Sequence, residues 1–126
     1  FQSLLLAPKT RDEMRPKVPP KGFASAKALK DYLGPSPPGF QYHHVIPAEQ
    51  PVPKWWTGTR DEFFERHIHH TKNIVLIPTV RHIFISAWMD SIGLSGTRLR
   101  KTLERYDLDQ QNEQGENLMR RFGVLK

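Results

Sequence analysis

Eleven prolines are scattered through the 126-residue chain. Each fixes φ and withholds a backbone donor, so long helices and wide sheets are excluded from most of it. Pro8, Pro16, Pro19 and Pro20 favour extended backbone in a lead-in segment, residues 1–22. Gly34-Pro35-Ser36-Pro37-Pro38-Gly39 forces a turn, the stretch from Pro47 to Pro53 is broken again, and Pro78 closes a β-branched run. Regular structure is therefore expected in short pieces joined by prominent loops, in one domain over residues 23–126 with a modest core. A mean hydropathy of −0.60 agrees.

Between these breaks the periodicities are readable. Ser25 is placed to cap a helix carrying Ala26, Leu29 and Leu33, with Gly34 as its stop. Phe40 to Ile46 reads as a strand, and Thr59 with Glu62 fits a capping box opening a helix through Phe63, Phe64 and His67. Asn73-Ile74-Val75-Leu76-Ile77 reads as a second strand. From Thr79 to about Ser91, Val80, Ile83, Phe84, Ala87 and Trp88 form one apolar stripe, with His82, Ile85 and Met89 on a second face. That two-sided pattern predicts a sandwiched helix whose His82 face meets the strand pair. A basic helix is expected over Thr97 to Tyr106 and a last one over Asn117 to Phe122. Of Trp55-Trp56, a buried anchor is favoured over an exposed platform for bases.

The charge balance, 19 Lys and Arg against 13 Asp and Glu, leaves +6. Such a surface suits a polyanionic partner, although basic proteins are common. With no cysteine, disulfides and thiolate zinc sites are excluded, so any metal must be held by nitrogen and oxygen. No apolar run is long enough to cross a membrane as a helix, and Leu4-Leu5-Leu6 is too short for a signal-peptide core. The chain opens on Phe1, as expected of a piece of a longer protein.

The chemistry concentrates in four polar residues on three elements. His43 and His44 are adjacent in a strand, so their side chains point to opposite sides. Asn73 opens the second strand and His82 stands on the helix after it. Strand with His-His, strand with Asn, helix with His: this order resembles the ββα-metal fold of the HNH and endonuclease VII superfamily. His-His-Val-Ile-Pro with Asn-Ile-Val-Leu-Ile-Pro is most similar to nuclease domains at the C-termini of bacterial polymorphic toxins. The resemblance covers about residues 40–90 and implies an α+β fold with a ββα-metal core wrapped by helices.

It also implies roles. His43 and His82 would hold a divalent cation, His44 would be the general base, and Asn73 would brace the hairpin and orient that base. Many relatives carry another ligand one helical turn after His82, where this chain has Ser86. Two imidazoles plus waters are then expected, with Mg²⁺ or Mn²⁺ in function and Zn²⁺ or Ni²⁺ as tighter binders. Arg81 is the first candidate for gripping a phosphate oxygen, followed by Arg98, Arg100 and Lys101 of the basic run, which otherwise forms a solvated helix face. The implied function is a metal-dependent endonuclease, DNA favoured as substrate. It would be the toxin domain of a secreted effector, acting as a monomer in the cytoplasm of a target cell and neutralised by an acidic immunity protein. RNA cleavage by the same fold, or a non-catalytic nucleic-acid-binding module with a structural metal, are the alternatives.

His67, His69 and His70 form a second cluster. Solvated histidines at a helix end are the expected reading. One of them completes the first site only if the connector folds back over it.

Overall fold

A computed structural model describes residues 7–48, 51–91 and 106–126. The basic run with Arg98, Arg100 and Lys101 lies outside them. The described residues form a mixed α+β arrangement: α1 (Ala26–Leu33), β1 (Phe40–His44), α2 (Arg60–Phe63) continued by a π-helical turn (Phe64–Ile68), β2 (Ile74–Pro78), α3 (Thr79–Asp90) and α4 (Leu108–Arg121). Short 3-10 turns occupy Asp12–Met14 and Thr71–Asn73. Among the described residues no helix is long and apolar enough to cross a membrane.

The caps lie where side-chain chemistry puts them. Ser25 accepts from the Ala28 N–H to start α1, and Gly34 ends it at φ 70°, a conformation that favours glycine. Thr59 accepts from the Glu62 N–H, the forward half of the expected box. The following helix tightens and then loosens into a π turn, closed by the His69 N–H on the Phe64 carbonyl at 2.7 Å. α4 begins at Leu108, well before the expected Asn117. Asp107 and Gln110 form a reciprocal capping box there, and the polar composition of the first turns hid a helix whose start signal was present.

β1 and β2 pair antiparallel, with His43 opposite Val75 and His44 opposite Ile74. They are not joined by a tight turn. The chain between them runs through α2 and the π turn, and Asn73 ties the neck of this excursion. Its amide donates to the Ile46 and Ile68 carbonyls, both at 3.0 Å, and its Oδ1 accepts from the Ile46 N–H at 2.8 Å. Asn73 precedes β2 in the 3-10 turn rather than opening the strand, because its backbone N–H donates to the His70 carbonyl at 2.9 Å and closes that turn.

Two apolar clusters flank the sheet. Val45, Val75 and Ile77 pack with Ile85 and Met89 of α3 and Met119 of α4; Ile46, Phe63, Phe64 and Ile68 form the other. The described part of the lead-in is fastened to this body: Met14 enters the first cluster, and Arg11 reaches Asn112, Glu116 and the Lys72 carbonyl. Gly115 lets α4 press on the end of β1, since a Cβ there would strike the Val45 carbonyl oxygen.

The faces of α3 divide differently from the expected sandwich. Ile85 and Met89, on the His82 side, are buried, whereas Ile83 is 60% and Phe84 50% exposed, with Val80 and Trp88 also open. The longer apolar stripe is largely exposed, its Phe84 and Trp88 packing on Phe122 with ring centroids 6.4 and 6.2 Å away, and the strand pair takes the side carrying the histidine. The tryptophan pair also splits. Trp55 is 58% exposed, while Trp56 is the anchor, edge-on to Phe63 and donating its Nε1–H to the Thr59 carbonyl at 2.8 Å.

Candidate functional site

β1 presents His43 and His44 to different neighbours, and α3 follows β2 without a linker, so its first turn lies beside the strands. His82 is in that turn. Its ring meets His43 edge to face at a centroid distance of 5.3 Å. A cleft of about 220 Å³ opens at this point, bordered by His43, His44 and His82 together with Tyr42, Ser86 and Met89. Burial lowers the pKa of His82. At neutral pH its imidazole is therefore unprotonated, the form that can ligate a cation. Desolvation is the cause, although His82 also stands in the first turn of α3, where the positive helix end would act in the same direction.

Two imidazoles in contact beside an open cleft suit a divalent cation that keeps several waters or ligand oxygens. Ser86, one turn beyond His82, borders the same cleft and adds a hydroxyl. Among the described residues no third His, Cys, Asp or Glu joins such a group. A cation here would rest on the two nitrogens and complete its coordination from solvent or substrate.

His44 has a different environment. Its Nε2 lies 3.3 Å from His69 Nδ1, the rings nearly perpendicular at 86°. Burial, and secondarily the neighbouring His69, pushes its pKa down to about 4. It is neutral at physiological pH. The connector therefore does fold back, and of its three histidines His69 reaches His44, without bordering the cleft or joining His43 and His82. His67 packs against Trp56 and Phe63, and His70 accepts from the Lys72 N–H at 3.0 Å as a turn cap. Their pKa values are lowered, in each case by burial first and then by neighbouring Lys72. The sequence signal for His69 was its presence in the cluster; no helical spacing could reveal it, because a π turn sets its direction.

The side-chain hydrogen bonds of Asn73 go to backbone groups of Ile46 and Ile68. Asn73 thus acts on the backbone after the strand histidines: besides the neck bonds, its carbonyl accepts from the Val45 N–H at 2.9 Å, fixing the residue that follows His44. Bracing is what its geometry provides. Arg81 is not at the cleft. It borders a separate groove with Lys9, Phe40 and Val124, because neighbouring helix positions point about 100° apart. Its buried Nε has no hydrogen-bond partner among the described residues. Comparison of the chain with protein-family models, curated proteins and solved structures finds no match.

Proposed function

We propose that this chain is a metal-dependent endonuclease with a ββα-metal core, formed by β1, β2 and α3, of the HNH and endonuclease VII type. The observation that carries the reading is the edge-to-face approach of His43 and His82, 5.3 Å between centroids, on a cleft that His44 also borders. Three imidazoles from two elements, two of them paired and one set apart, supply a cation seat and a proton acceptor in one place.

Each side chain has a separate task. His43 and His82 would hold the cation, whose charge would stabilise the negative charge that develops on the phosphate in the transition state. His44 takes the proton of the attacking water at Nδ1, since its Nε2 is engaged by His69. The water oxygen bonds to phosphorus as the bond to the leaving oxygen breaks, and that oxygen takes a proton from solvent. A neutral His44 is always available to accept, at the cost of being a weak base. The negative charge of a bound phosphodiester beside it raises its affinity for the proton. Asn73 holds the strand end in place.

DNA is the favoured substrate, drawn by a net charge of +6. The resemblance to polymorphic-toxin domains makes the chain the payload of a secreted effector. It would act in the cytoplasm of a target cell and be captured by an acidic immunity protein through opposite fields. A second reading, a nucleic-acid-binding module with a structural metal, draws on the burial of His44, which a structural site would not need exposed.

The test is incubation of supercoiled plasmid and total RNA with the protein in Mg²⁺, Mn²⁺, Zn²⁺ or EDTA, beside His44→Ala. Metal-dependent cleavage of plasmid that the variant loses, with fold and metal binding kept, supports the reading. Cleavage of RNA alone redirects it to an RNase; cation binding and nucleic-acid retention without cleavage of either establishes the module instead.

A further inference from the structure

His69 is a buried imidazole, 6% exposed, that the cation seat does not use. Every feature around it serves to aim its ring. The π turn closes on its backbone N–H, and its carbonyl accepts from the Phe23 N–H at 2.8 Å, so both sides of the residue are pinned. The ring lies on Phe64, centroids 5.4 Å apart and planes within 19°, and the Arg60 guanidinium covers that phenyl ring, its central carbon 4.6 Å from the centroid. Nδ1 is left facing His44 Nε2 at 3.3 Å. Such over-determined placement of a polar ring in an apolar cluster costs packing that a Phe or Leu would not.

We infer that His69 is the positioning residue of the site, accepting a hydrogen bond at Nδ1 from His44 Nε2–H and thereby holding His44, a residue that borders the cleft, in the tautomer whose Nδ1 keeps its lone pair. The assignment follows from proton counting. Between two neutral imidazoles one nitrogen donates and the other accepts. If His69 donated, His44 would carry its own proton on Nδ1 and could accept none there. With His44 donating, Nδ1 is open. Once it has taken the proton of water, the imidazolium donates a stronger bond to the same acceptor. His69 then serves as a neutral counterpart of the carboxylate that orients histidine in hydrolytic triads. Burial, and secondarily the Arg60 guanidinium, disfavours a proton on His69 itself, which preserves its acceptor.

The inference rests on the proposed nuclease reading, so two readouts are needed. His69→Phe keeps the ring on Phe64 and removes the acceptor; His69→Asn offers an amide oxygen near the Nδ1 position. Plasmid cleavage in Mg²⁺ or Mn²⁺ should fall about 10- to 100-fold in kcat for His69→Phe, as when a partner orienting an imidazole is lost. KM for DNA and cation affinity should be unchanged, and His69→Asn should recover most of the loss. In ¹⁵N-resolved imidazole spectra of the metal-free protein, His44 should be the Nε2–H tautomer, and His69→Phe should mix its tautomers. A His69→Phe variant that is folded and cleaves at the parent rate overturns the role, as does a His44 protonated on Nδ1. If the parent protein cleaves nothing, the positioning role falls with the nuclease reading, and the spectra show separately whether the imidazole pair exists.

Discussion

His43 and His44 are neighbours in one strand, and the sheet sends them to opposite kinds of surroundings. His43 meets the imidazole of His82 beside an open cleft. His44 turns toward an aromatic cluster, hydrogen-bonded to His69 and desolvated until its pKa is about 4. A one-residue step thus separates a pair suited to holding a cation from a pair suited to handling a proton. The difference teaches that two histidines in a row carry no function by themselves; what each faces assigns it.

The comparison breaks most visibly if the proton side is removed. His44→Ala should lower cleavage by about 10³-fold while leaving cation affinity intact, measured by plasmid nicking and by calorimetric titration with Mn²⁺. Equal cleavage would erase the distinction. The cation side should answer in the opposite sense: His82→Ala should weaken cation binding at least about tenfold and lower cleavage to the level seen in EDTA. It should leave the His44 tautomer as in the parent.

A third test addresses what both sides share. Asn73 satisfies the Ile46 N–H and the carbonyls of Ile46 and Ile68 in a buried neck, so Asn73→Ala strands these groups and should cost about 3–4 kcal/mol in urea unfolding. If stability is unchanged, the neck is held by other contacts. The pH dependence of stability sharpens the contrast further. The His44 pKa is depressed in the fold, so its contribution is fully present above the ordinary value of 6.5 and is lost as pH falls through about 4. On the order of 3 kcal/mol should disappear between neutral pH and pH 4 in the metal-free protein. His44→Phe should remove that part of the acid loss and leave the part that the other lowered imidazoles, His82 among them, contribute. The smallest effect is expected on the outward face of α3: Ile83→Ser should change stability by less than about 0.5 kcal/mol, because the side chain is 60% exposed.

Much of the frame was legible before any coordinates. The alternation of a strand placed His43 and His44 on different sides, the β-branched run to Pro78 marked β2, and Ser25 and Thr59 announced their helices by cap chemistry. The site's second histidine was also legible, as the helix residue following that run. The faces of α3 were not. Ile83, Phe84 and Trp88 form the stronger apolar stripe, yet Ile85 and Met89 are the buried pair, while Phe84 and Trp88 meet the ring of Phe122; amphipathicity says which residues share a face and not which face is covered more fully. Trp55 and Trp56 divided because only Trp56 finds the edge of Phe63 and the Thr59 carbonyl, a choice that composition does not make.

What the sequence determined by itself was local: where the backbone must turn, which residues cap, which stretches are strand or helix, and which imidazoles stand one residue apart. These depend on φ restrictions, missing donors and neighbouring side chains, all properties of a short window. The tertiary structure alone decided that the excursion after β1 returns through a π turn to bring His69 onto His44, that Asn73 closes its neck, and that Arg81 looks away from the cleft. Those outcomes come from desolvation and from hydrogen bonds between residues distant in the chain, which no local period encodes.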